Sequence, residues 1–157
     1  MNLKRRALFL DWGGTLVVTR ANRTLVDMDG NPLLAPRVPE TLARVRLHFD
    51  LAFIVSNQAG IGRGEISEEE VLRRFTWANA HLRKPFDDWR ICPHGEADAC
   101  ACRKPRPGMF LDLAATHDVD FEVSLHVGDS QKDRDAARAV GLPFAWAHDF
   151  FSARSGR

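Results

Sequence analysis

Three segments carry side chains that could do chemistry together: Asp11 after the apolar run Ala7-Leu8-Phe9-Leu10, Ser56-Asn57 after Leu51 to Val55, and Gly128-Asp129-Ser130 after Val123 to Val127. Open parallel sheets bind ligands beyond the carboxyl ends of their strands, so three strand tips converge on one crevice. Two carboxylates from different strands, with a backbone carbonyl near Asp11, form a hard-oxygen set suited to Mg²⁺, and Asp133 adds a further acid four residues beyond Asp129. Ser56 offers a hydroxyl and Lys104 a point charge to phosphoryl oxygens. An Asp so placed can serve as metal ligand, nucleophile or both. Each fragment alone is also an ordinary turn or cap; their order, with a lysine between the last two, is what sets them apart. Two residues beyond Asp11, where a second acid would serve proton transfer, stands Gly13.

A second cluster holds all three cysteines, Cys92, Cys100 and Cys102, together with His94. An odd count in so short a span is poor disulfide arithmetic. Three thiolates and one imidazole do make a closed tetrahedral Zn²⁺ set around the loop 95–99, although the spacing is not that of a zinc finger. The alternative is three unrelated thiols beside a surface histidine. A four-ligand site has no open position, so such a metal fixes a loop rather than activating water.

The elements that must position these groups alternate between strand and helix, which predicts an α/β fold with a parallel sheet and helices on its faces. Strands are expected at 7–11, 51–55, 89–92, 123–127 and 143–146. Helices are expected from Pro39 to Phe49, from Ser67 to Leu82 behind the capping box Ser67-Glu68-Glu69-Glu70, from Pro107 to His117, and from Lys132 to Val140, stopped by Gly141. The glycine-rich segment 60–64 reads as a loop. Thr24-Leu25-Val26 and Pro32-Leu33-Leu34 flank a turn at Asp27-Met28-Asp29-Gly30-Asn31 and predict a small hairpin, from which Asp27 or Asp29 could supply the carboxylate missing at residue 13. His126 reads as a satisfied core histidine, and Phe144, Trp146, Phe150 and Phe151 as a last strand with its packing. One domain over 1–151 with a frayed tail at 152–157 is expected.

At 157 residues and formal net charge +1 the chain is an ordinary globular domain with mixed charges. That balance does not favour a nucleic-acid partner, although Arg103, Lys104 and Arg106 could serve one phosphate group. The short apolar run after Lys4-Arg5-Arg6 is no signal segment, and no stretch approaches the roughly 20 apolar residues of a membrane span, so a cytoplasmic protein is expected.

These motifs resemble those of haloacid-dehalogenase (HAD)-like phosphohydrolases, whose first motif is an apolar strand ending in Asp-x-Asp-x-Thr, here Asp11 to Thr15. Ser56, Lys104 and Gly128-Asp129 through Asp133 match the remaining three. Within that group the phrases at 56–64, 92–94 and 100–109 are similar to those of the capless histidinol-phosphate and D,D-heptose-1,7-bisphosphate phosphatases. The resemblance implies a Rossmannoid fold without a cap and a shallow site with the zinc loop as one wall. Asp11 would attack phosphorus and form an aspartyl-phosphate, with Asp11, the Gly13 carbonyl, Asp129 and Asp133 at Mg²⁺. Thr15, Ser56, Asn57 and Lys104 would position the phosphoryl group, Arg63 and Arg103 would bind a distal phosphate or acid, and Cys92, His94, Cys100 and Cys102 would hold Zn²⁺. The family's acid–base Asp is Gly13 here, which leaves a Mg²⁺-dependent phosphatase of a small phosphorylated metabolite that is slow or specialised for its leaving group. The alternatives are a catalytically silent phosphate-binding or regulatory protein and a polynucleotide 3′-phosphatase.

Overall fold

A computed structural model describes residues 3–152. In chain order the strands are β1 (Ala7–Leu10), β2 (Thr19–Arg20), β3 (Arg23–Thr24), β4 (Leu51–Asn57), β5 (Asp88–Cys92), β6 (Leu125–Gly128) and β7 (Phe144–Trp146). The helices are α1 (Val38–Val45), α2 (Ala59–Gly62), α3 (Glu68–His81), α4 (Gly108–His117), α5 (Gln131–Ala139) and α6 (Ala147–Ser152). Five strands form one parallel sheet in the order β5-β4-β1-β6-β7, so β1 is central and its tip lies between those of β4 and β6.

Strands covered on both faces read as continuous apolar runs, and all four residues of β1 are buried. The period-2 pleat divides them: Leu8 and Leu10 join the core under α1, α3 and α6, while Ala7 and Phe9 join the core under α4 and α5. Phe75 of α3 sits 4.5 Å from the Trp12 ring, and Phe110 of α4 lies 5.4 Å from Phe9. Each face of the sheet thus carries an aromatic anchor directly below the site.

Several expectations need correcting. The expected hairpin exists only as an isolated Val26↔Pro32 bridge around the Asp27 turn, and the regular hairpin is β2–β3, joined by Ala21 and Asn22 at φ 50 and 61. Two consecutive left-handed residues make the tight turn that matches strand twist. Segment 60–64 is partly helical, since α2 covers Ala59–Gly62. Ser67 does cap α3 by accepting from Glu70 N, but the Glu70 carboxylate goes to Arg73 and Arg74 rather than returning to the cap. The C-terminal aromatics divide between β7 and α6, with Phe151 buried. Ser152, expected in the tail, closes α6, and 153–157 lie outside the described residues. Among the described residues β1 is followed by the β2–β3 flap, its neighbouring turn and α1, and β4 by α2 and α3. No helix among them is long and apolar enough to cross a membrane.

Candidate active site

Asp11 extends β1 by one residue, its N–H donating to Val127 O at 3.0 Å, which aims its side chain past the sheet edge. Lys104 reaches it from the far side of the crevice. The lysine is 2% exposed and its Nζ has three acceptors: Asp11 Oδ1 at 2.9 Å, Asp133 Oδ1 at 2.7 Å and Val55 O at 2.9 Å. An ammonium has three N–H donors, so this one is fully used and its direction is fixed. Its main chain is fixed as well, because Asn57 accepts from Lys104 N at 3.0 Å and donates to Lys104 O at 3.1 Å. Asn57, expected on the substrate, therefore spends its amide on positioning the lysine.

Asp11, Asp129 and Asp133 each present an oxygen within 4.8 Å of the others. Both oxygens of Asp133 are engaged: Oδ1 takes Lys104, while Oδ2 takes Asp129 N at 3.0 Å, Ser130 N at 3.1 Å and Ser130 Oγ at 3.0 Å. Asp133 thus shapes the loop that presents Asp129, leaving Asp11 and Asp129 as the carboxylates with free lone pairs for a cation. A hard-oxygen set beside a lysine and strand-tip carbonyls fits Mg²⁺. Gly14 makes room for it: at φ +75, a Cβ there would stand 2.0 Å from Asp129 Oδ2.

Burial pushes the Asp11 carboxyl up to about 7 against the pull of the Lys104 ammonium, with Asp133 and Asp129 adding to the rise. Burial also works to raise Asp133, but Lys104 overrides it and holds Asp133 well below the ordinary carboxylate range. Burial would lower Lys104, yet its two facing carboxylates keep its ammonium above the usual value. Three carboxylates face one ammonium here, a local excess of negative charge that suits a cation.

One wall of the crevice carries Ser56, 1% exposed, whose Oγ accepts from Gln58 Nε2 at 2.9 Å, whereas Thr15, expected beside it, does not line the crevice and its buried Oγ1 has no partner. Gln58 was missed in the sequence, where nothing distinguishes it from other loop amides. Arg103 lines the crevice with its Nη1 on His94 O at 3.1 Å and a buried Nε that has no partner. Arg63 is at the rim and exposed, paired with Glu65 at 2.9 Å. The crevice is open and about 1140 Å³ in volume, with Arg103 and Lys104 rather than loop 92–102 forming that wall. Gly13 lines it too, and a Cβ there would lie 3.1 Å from the Thr19 methyl of the flap. Asp27 does not line it; its Oδ1 accepts from Asp29 N and Asn31 N, each at 2.9 Å, and closes its own turn. Neither Asp27 nor Asp29 replaces the missing carboxylate. His126 is only half satisfied: Nδ1 donates to Phe9 O at 3.0 Å, while Nε2 has no hydrogen bond and lies 3.6 Å from Asp133 Oδ1.

Cys92, His94, Cys100 and Cys102 come together at the end of β5 and the following loop, their ligand atoms all within 4.8 Å of one another. His94 Nδ1 is 3.3 Å from Cys102 Sγ and 3.5 Å from Cys92 Sγ, and Cys92 Sγ is 3.7 Å from Cys100 Sγ and 3.0 Å from Cys102 Sγ. A zinc tetrahedron with bonds of about 2.3 Å has sulfur–sulfur edges of about 3.8 Å; the Cys92–Cys100 pair matches that edge and the Cys92–Cys102 pair is tighter, and three thiols with one imidazole are a closed donor set of the kind that suits Zn²⁺. Burial and the Cys102 thiol push Cys92 up to about 12, whereas the slight burial of Cys100 is outweighed by the Arg103 N–H and its thiol neighbours, which bring it to about 6. Lys132 at the start of α5 pairs with Glu96, tying this loop to the Asp133 helix.

A family model described as HAD-hyrolase-like matches residues 101–148, the stretch that carries Lys104, Asp129 and Asp133. The sheet order, the strand-tip carboxylates and this match agree, and the chain belongs to the HAD-like hydrolases. Its relatives are more specific. It is 37% identical over 150 residues to the D-glycero-beta-D-manno-heptose-1,7-bisphosphate 7-phosphatase of Rhodopseudomonas palustris, covering 89% of this chain and 82% of that protein. The enzyme of the same name from Vibrio cholerae is 31% identical, with 89% and 79% covered. The crystal structure of D,D-heptose 1,7-bisphosphate phosphatase from B. bronchiseptica, complexed with magnesium and phosphate, superposes with TM-score 0.78 at 29% identity, over 88% of this chain and 78% of that one. The chain is a phosphomonoester hydrolase, the activity class these relatives share.

Proposed function

We propose that the chain hydrolyses a small sugar phosphate of the heptose-1,7-bisphosphate type, with Asp11 as nucleophile and aspartyl-phosphate as intermediate. The observation that carries this reading is the buried clamp of Lys104 between Asp11 and Asp133, which fixes one oxygen of an Asp11 that lines the crevice. Mg²⁺, held by Asp11, Asp129 and the Gly13 carbonyl, would supply charge neutralisation at the phosphoryl oxygens. Ser56 would orient the phosphoryl group while Lys104, its three donors spent on Asp11, Asp133 and Val55 O, fixes the attacking carboxylate for in-line attack, and because such transition states are loose, positioning and neutralisation account for most of the rate. The Arg103 guanidinium, which lines the crevice, suits a second phosphate or acid on the same substrate. Zn²⁺ on the four-residue cluster would fix the loop that leads into Arg103 and Lys104.

Gly13 favours a second reading, a phosphate-binding protein without turnover. Phosphate release from D-glycero-D-manno-heptose 1,7-bisphosphate in Mg²⁺, compared with glucose 6-phosphate, separates the two. Release faster on the bisphosphate supports the enzyme and the distal contact, whereas tight binding without release supports the second reading.

A further inference from the structure

Beyond Asp11, Asp129 and Asp133, the only carboxylates lining the crevice among the described residues are Glu65 and Glu70, and no described His or Cys lines it. Glu65 is held by Arg63 at 2.9 Å with Arg23 at 3.9 Å, and Glu70 by Arg73 at 2.8 Å and Arg74 at 3.0 Å. Their oxygens are taken up by guanidinium groups, and these hydrogen bonds keep Glu65 below its ordinary range and bring Glu70 down to about 2, so both are poor acceptors for a proton taken from water. Asp133 has both oxygens engaged and Asp129 belongs to the cation site. At residue 13 there is no side chain, and the Thr19 methyl stands where one would begin. The remaining hydroxyls and amides orient water without taking its proton.

We infer that the phosphoryl group stays on Asp11 for longer than it takes to arrive: the crevice loads Asp11 fastest from donors whose leaving group departs as an anion and more slowly from a sugar phosphate, and it lacks the base that helps water remove the group, so the aspartyl-phosphate is a long-lived state of this chain and limits its turnover. This rests on the reading of Asp11 as nucleophile. In the loading step an Asp11 oxygen bonds to phosphorus as the bond to the leaving oxygen breaks, and the electron pair leaves on that oxygen. With an acyl phosphate the leaving group is a carboxylate whose acid has a pKa of about 4, so it needs no proton. An alkyl phosphate must expel an alcohol and does need one. In the unloading step water bonds to phosphorus, the Asp11 carboxylate leaves, and the proton passes to bulk water. General acid–base assistance is worth about 10²–10⁴-fold, which sets the expected slowing.

The test is to incubate the full chain with Mg²⁺ and acetyl phosphate, or with glucose 6-phosphate, then desalt it and follow intact mass with time. One phosphoryl group per chain should appear with acetyl phosphate, persist after desalting, and be absent in Asp11→Asn. Gly13→Asp, and Gly13→Asp with Thr19→Ser to remove the crowding methyl, should shed it about 10²–10⁴-fold faster. Acetyl phosphate turnover by the wild type without a mass adduct overturns the inference and leaves the phosphatase reading intact, as does an adduct that the Gly13→Asp variants shed no faster. If neither the wild type nor the Gly13→Asp variants take up or release phosphate, Asp11 is not the nucleophile and both readings fall.

Discussion

Replacing Lys104 by Met removes a charge while nearly keeping its volume, and so isolates the clamp. The side chain is 2% exposed and leaves behind two buried carboxylates and the Val55 carbonyl without their donor. Breaking a buried ion pair by deleting one partner costs about 3–5 kcal/mol. For a chain of this length that is a fall in Tm of about 6–20 °C, a large share of ordinary domain stability. The deficit should also depend on pH. Asp11 sits at about 7 in the fold against 3.8 ordinarily, and Lys104 is what lowers it. A folded-state acid with a raised pKa holds a proton that the unfolded chain has shed, so stability falls as pH rises from about 4 through the folded value. Without Lys104 that folded value moves above 7, so the variant goes on losing stability where the wild type has levelled off. Thermal unfolding of both proteins in EDTA at pH 5, 7 and 9 checks this. A deficit under about 1 kcal/mol, or one equal at pH 5 and pH 9, refutes the clamp as the organiser of the site.

Three further outcomes follow from individual contacts. Gly14→Ala places a methyl against Asp129 at a backbone angle that costs an ordinary residue about 1–2 kcal/mol, so isothermal titration should show Mg²⁺ binding weakened well beyond the loss of stability. Asn57→Ala frees the Lys104 main chain, and because a displacement of about 1 Å can lower a rate about 10²-fold, kcat should fall by roughly that factor with KM little changed. Elemental analysis should find one zinc per chain, lost in Cys102→Ser together with protease resistance of the loop 92–102.

Much of the site was legible because its parts lie at element boundaries, where residue type and secondary structure constrain each other. An apolar run covered on both faces must end at the sheet edge, so Asp11, Ser56 and Asp129 could be placed on one crevice before any contact was known. The Cys and His set was legible from chemistry, since four soft ligands in one polar loop have few other uses. The β2–β3 hairpin was not, because two-residue strands are too short to show alternation and its turn is Ala21-Asn22 rather than a glycine pair. The short helix α6 hid among aromatics that suit a strand equally well. The Asn57 clamp and the Thr19 methyl over Gly13 are products of tertiary contact that no spacing encodes.

Asp11 as the nucleophile of a Mg²⁺-dependent phosphatase is tested by phosphate release from D-glycero-D-manno-heptose 1,7-bisphosphate, with and without Mg²⁺, by the wild type and by Asp11→Asn. Metal-dependent release by the wild type and none by Asp11→Asn is the predicted result. Equal release by the two proteins would contradict it.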